Sequence, residues 1–130
     1  GPKGLPLIKP PYARVTAIDM ATGDHLWMTV NGNGPRQKII DMGLPDPGPL
    51  GAAWSGGPVL TKSLLLVSQA DGQRNVLRAF DKQDGRIIAE IDLPARPWGT
   101  PMSYMQDGKQ FIVIASGEAQ DAKLVALALP

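Results

Sequence analysis

The stretch AIDMATGDHLW, Ala17 to Trp27, returns in altered form as AFDKQDGRIIA, Ala79 to Ala89. The two share an Ala-x-Asp-x-x-x-Gly frame at a spacing of 62 residues and differ in the last position, where tryptophan gives way to alanine. Physically the frame is a strand–turn–strand device. Alanine is small enough for close sheet packing, the aspartates bond the turn backbone, and glycine supplies a positive φ. Asp19, Asp81 and Asp84 therefore read as turn residues and not as catalytic acids. A tryptophan four residues past the glycine can lie flat between neighbouring sheets and offer its indole N–H to a carbonyl. Truncating a buried tryptophan of that kind costs about 3–5 kcal/mol.

A third, partial copy closes the chain. LLLVS (Leu64 to Ser68) aligns with FIVIA (Phe111 to Ala115), and LRAF (Leu77 to Phe80) with LVAL (Leu124 to Leu127), each 47 residues on. That spacing lies close to the roughly 40–50 residues of one four-stranded propeller blade. The first interval is longer because it carries a Gly/Pro-rich loop, Asn31 to Gly51. HLWMTV and IIAEIDL alternate as half-buried strands do, the second with Ile87, Ala89, Ile91 and Leu93 on one face. LLLVS and FIVIA are continuous apolar runs, expected of strands covered on both sides. No segment offers a helical stripe. The expected organisation is an extension over 1–13, the end of one blade over 14–30, the loop over 31–56, a full blade over 57–93 and three strands of a last blade over 94–130. The fold class is all-β: antiparallel four-stranded blades forming part of a β-propeller.

Composition sets the outer limits. The 130 residues suffice for one modest domain, and a net charge of +1 without a basic stripe argues against nucleic acid as a partner. With no cysteine, disulfides and thiol chemistry are excluded. Fifteen glycines and thirteen prolines punctuate short apolar runs, the pattern of strands and turns. The opening Gly1-Pro2 is what a protease leaves on cleaving a tag, and on that reading the chain is cut from something longer.

AIDMATGDHLW resembles the tryptophan-docking motif of the pyrroloquinoline quinone (PQQ) dehydrogenases, Ala-x-Asp-x-x-Thr-Gly-x-x-x-Trp, at every fixed position. WGTPMSYMQDGKQFIVIASG (Trp98 to Gly117), the ending LVALALP, PPYARVTAID and GGPVLTKSLLLVS resemble the membrane glucose dehydrogenase type within that family, in order along nearly the whole chain. The resemblance implies an eight-bladed quinoprotein propeller with PQQ near its axis, a Ca²⁺ polarising the quinone and an aspartate base assisting hydride transfer from a sugar or alcohol. It implies a periplasmic location, with the remaining blades of the parent as partners. The family's calcium ligands and base come mainly from earlier blades, and no segment here matches them. This chain alone is therefore expected to be inactive, with no catalytic residue, no metal site and neither PQQ nor calcium of its own. The second copy departs from the motif by lacking its tryptophan, and Ile87 and Ile91 are expected to pack that junction instead.

In this family the segment leading into the Pro-Met-Thr-Tyr-like strand lies over the PQQ edge. That carries cofactor binding to Trp98, Gly99 and Thr100, with Ser103 replacing the usual threonine. A glycine would let backbone N–H groups approach quinone or carboxylate oxygens, and the ring would shield the ligand. Trp54 is expected to pack between blades, and His25 to face solvent. Arg36, Lys38 and Asp41 read as a solvated insertion. The alternative function is a non-catalytic scaffold, such as the outer-membrane assembly lipoprotein built from related repeats. WGTPMSYMQDGKQ favours the enzyme. Open blade edges expose unpaired N–H and C=O groups, so self-association through sheet edges is a further expectation.

Overall fold

Both copies of the frame fold into the same turn. In the computed structural model, which describes residues 1–53 and 56–128, β1 (Arg14–Ile18) and β2 (His25–Val30) pair antiparallel. Asp19 Oδ1 accepts the backbone N–H groups of Ala21 at 2.7 Å and Thr22 at 3.3 Å, and Gly23 N–H donates to Asp19 O at 2.7 Å. In the second copy Gln83 N–H donates to Asp81 Oδ1 at 2.8 Å and Gly85 N–H to Asp81 O at 2.9 Å. The glycines stand at φ +81° and +73°, where a side chain would be strained. Ala17 lies opposite Trp27 and Ala79 opposite Ala89, with a shift of register immediately after each pair.

The chain divides into two compact units, Gly1–Trp54 and Ser55–Pro130. In the first, the Gly/Pro-rich loop departs from expectation by forming a short helix, α1 (Arg36–Asp41), which no sequence stripe announced. RQKIID holds no breaker, Pro35 is tolerated at the N-terminal end, and six residues are too few to display a period. The helix stops at Gly43, φ +76°, where Gly43 N–H donates to Ile40 O at 2.8 Å and Leu44 N–H to Ile39 O at 3.4 Å. These two bonds satisfy carbonyls the helix end would otherwise orphan. The loop then returns to its origin. Ala52 N–H donates to Asn31 O (2.9 Å), Gly51 N–H to Gly32 O (2.8 Å), and Tyr12 N–H to Leu50 O (2.7 Å). Gly51 cannot carry a Cβ, which would run into the backbone of Ala13.

The second unit holds two sheets. One has the order β3 (Val59–Leu60), β4 (Leu64–Asp71), β5 (Arg74–Asp81), β6 (Ile87–Asp92), and the other β7 (Pro97–Gln106), β8 (Lys109–Ser116), β9 (Lys123–Ala128). All pairs are antiparallel. The chain is thus all-β in sheets of two to four strands, with one short α-helix among the described residues. Strand β3 is shorter than the expected Gly57 to Thr61. The expected end of the last strand, Leu129, lies outside the described residues. Two-residue turns close the hairpins, Gly72-Gln73 between β4 and β5 and Asp107-Gly108 between β7 and β8. Asp107 and Gly108 both have positive φ, as a turn matched to the strands' twist requires.

The core of this unit forms where the two sheets face each other. Leu66, Leu77, Leu93 and Ile114 are buried there, packed against Leu64, Ala79, Ile112, Val125 and Leu127. Each fully buried aliphatic side chain contributes about 1.5–3 kcal/mol. The opposite face of the four-stranded sheet buries Val67, Val76 and Phe80 completely and, unusually, a charge. Arg78 on β5 is 2% exposed; its guanidinium donates to Asp71 (2.6 Å) and Gln69 on β4 and to Glu90 on β6 (2.5 Å). Arg74 extends the row outward to Asp92 at 2.8 Å.

Candidate functional site

The segment singled out for cofactor contact opens β7. Pro97 and Trp98 pair with Ser116 and Ala115, but regular pairing resumes only at Met102 opposite Val113. Three residues, Gly99, Thr100 and Pro101, therefore bulge against one, Ile114. Gly99 stands at φ +68°, and a Cβ there would meet nothing within 4 Å, so its backbone borders open space. Thr100 is not similarly free: its side chain packs against Gly57, at the position a Cβ on that glycine would need. Behind the bulge, Ser116 Oγ donates to Ala95 O at 2.8 Å and Gly117 N–H to Arg96 O at 2.9 Å, pinning the start of the strand.

Trp98 is 36% exposed, and the Arg96 guanidinium lies over its ring, 4.5 Å from the centroid. Sequence reasoning passed over Arg96, which lies just before β7, two residues ahead of the ring it covers. A cation stacked on a ring favours anionic and π-rich partners. A bulged backbone beside it offers N–H groups at close approach. Together the segment suits one edge of a flat, negatively charged molecule.

The other candidates are placed elsewhere. Asp19, Asp81 and Asp84 accept turn N–H groups, Asp84 from Arg86 at 2.9 Å. His25 is exposed on β2. Arg36 is held by Asp46 through Nε–Oδ1 (2.7 Å) and a second bond to Oδ2 (2.6 Å). That pair, helped by Gly48 N–H, draws the Asp46 carboxyl down to about 2. Asp41 accepts from Gln37 at 2.9 Å, one turn back in α1. Trp54 lies outside the described residues. Among the described residues no group of three histidine or acidic side chains could hold a metal ion. Ile87 and Ile91, expected to pack the second frame's junction, are 38% and 45% exposed.

Residues 1–112 match the family described as glucose/ethanol/alcohol dehydrogenase, PQQ β-propeller domain. The chain belongs to the PQQ-dependent dehydrogenase β-propeller family. Among its quinoprotein relatives, the quinate/shikimate dehydrogenase (quinone) of Acinetobacter baylyi is 38% identical over 92% of this chain. The quinoprotein glucose dehydrogenase of Escherichia coli is 33% identical over 89%, and the glycerol dehydrogenase large subunit of Gluconobacter thailandicus 34% over 88%. The matched region spans only 15%, 14% and 15% of those three proteins. The partial-propeller expectation agrees with this quinoprotein family and with sheets of two to four antiparallel strands. No helix among the described residues is long and apolar enough to cross a membrane.

Proposed function

We propose that this chain is a segment of a periplasmic PQQ-dependent dehydrogenase oxidising a sugar, a polyol or a related cyclic alcohol. The observation that carries the reading is the family match over residues 1–112, joined to relatives named for glucose, glycerol and quinate. When bound, PQQ supplies the two-electron acceptor for hydride. In this chain Gly99 would let the backbone approach an oxygen of that group, Trp98 would shield it, and Arg96, stacked on the Trp98 ring, would add positive charge. Thr100, packed against Gly57, holds the bulge in shape and acts as a positioning residue. The reading assigns the calcium ligands and the base to other parts of the parent and takes this segment alone to be inactive.

The proposed organisation keeps 1–13 as an extension and 14–30, 57–93 and 94–130 as blade segments around the loop at 31–56. The tryptophan of the first frame docks a neighbouring blade. The remaining blades are the partners, and the outer edge of β9, which borders no further strand among the described residues, is where an added strand joins or copies self-associate. Reconstitution of the parent protein with PQQ and Ca²⁺ tests the reading, by dye reduction with glucose, glycerol and quinate. Gly99→Val should weaken PQQ uptake at least tenfold, and Trp98→Ala severalfold, with the fold retained by circular dichroism. A parent that takes up no PQQ, or a Gly99→Val variant that reconstitutes like wild type, refutes it.

A further inference from the structure

The two frames share their turn bonds and their register, yet they end differently, and the second leaves a space. Ala89 sits on β6 opposite Ala79, on the side where the two sheets of the second unit meet. A cleft of about 570 Å³ opens there, walled by Leu66, Leu77, Ala89 and Ile91 from one sheet and by Ile112 and Leu127 from the other. Its rim carries Thr61, Ser63 and Gln110, whose hydroxyl and amide groups can accept a ring N–H. The volume lies within the range of small-molecule sites, which are mostly apolar with a few polar groups at one side. An apolar ring seated there would remove the cleft's aliphatic walls from water, which favours binding.

What fits is written in the first frame. The position equivalent to Ala89 is Trp27, paired with Ala17 as Ala89 is with Ala79. The second frame thus keeps the backbone that presents an indole and omits the indole. We propose that the cleft at Ala89 binds a planar, uncharged bicyclic aromatic molecule of indole's size, seated against Leu66, Leu77 and Ile112 with its polar edge toward Gln110. This site is separate from the Trp98 segment and does not depend on PQQ.

The test is a methyl-resolved NMR titration of the 130-residue chain with indole. Saturable shifts confined to the Ala89, Ile91, Ile112 and Leu127 methyls, at roughly millimolar affinity or tighter, are expected. Ala89→Trp should occupy the part of the cleft beside Ala79 and weaken indole binding at least tenfold while leaving the rest of the spectrum in place. Should Ala89→Trp fail to fold, Ala89→Leu must still weaken binding severalfold. The proposal is overturned by the absence of saturable shifts, by shifts scattered over the surface, or by undiminished binding in the folded Ala89 variant. It is equally overturned if cleft resonances respond to protein concentration and not to indole, with dimers in sedimentation, since a second chain would then be the occupant.

Discussion

Replacing Arg78 with methionine should be among the most damaging single changes in the second unit. Its side chain is 3% exposed and that of Asp71 2%, and the two meet at 2.6 Å with Gln69 and Glu90 completing the set. Methionine nearly preserves volume, so packing is little altered. The Asp71 carboxylate, however, loses its cation in a place with almost no water. Breaking a buried pair from one side costs about 3–5 kcal/mol, against a total stability of about 5–15 kcal/mol for an ordinary domain. Urea denaturation followed by circular dichroism should show the midpoint falling with an unchanged slope. The double variant Arg78→Met/Asp71→Leu removes both buried charges and should recover at least half of the loss, since Glu90, at 33% side-chain exposure, keeps its contact with water. A cost below about 1 kcal/mol for the single variant, or a double variant no better than the single, would refute the reasoning.

Trp27→Ala should destabilise by roughly 2–3 kcal/mol, less than a fully buried tryptophan because Trp27 is half-buried; equilibrium unfolding measures it. Gly51→Ala places a Cβ against the Ala13 backbone at φ +86° and should cost about 2 kcal/mol or more, seen as loss of hydrogen-exchange protection at Tyr12 and Ala52. The Asp46 carboxyl, held at about 2 by hydrogen bonds from Arg36 and Gly48, should titrate well below free aspartate in carboxyl-detected NMR. Its pKa is depressed on folding, so whatever it contributes is full above the ordinary value of 3.8 and disappears as the pH falls toward 2. Asp46→Asn should abolish that acid-range change in the loop.

The frames were legible because their chemistry is local: an aspartate, a glycine and six residues of alternation suffice to specify a hairpin. The 47-residue repeat likewise announced the β4–β5 and β8–β9 pairs. Helix α1 was not legible, since a turn and a half beside prolines has neither length nor stripe. Trp98, Gly99 and Thr100 could be named from resemblance, but the bulge that sets Gly99 apart from Thr100 depends on pairing with β8 far along the chain. Arg96 went unnoticed because its stacking on Trp98 depends on how the chain turns into β7, which no local pattern announces. The Arg78 set was equally hidden, as its acceptors come from two other strands, β4 and β6, and no spacing rule joins Gln69, Asp71 and Glu90.

The way Leu50–Ala52 comes back to Asn31–Asn33 has a consequence for how such proteins diversify. A detour whose entrance and exit are fastened together can change its content without disturbing the road it leaves. Doubling the length of a flexible excursion costs only about 0.6 kcal/mol in closure entropy. The residues from Pro35 to Pro49 are therefore a cassette: natural variation, or an engineer, can lengthen, shorten or exchange it while Gly34, Gly51 and their backbone partners stay fixed.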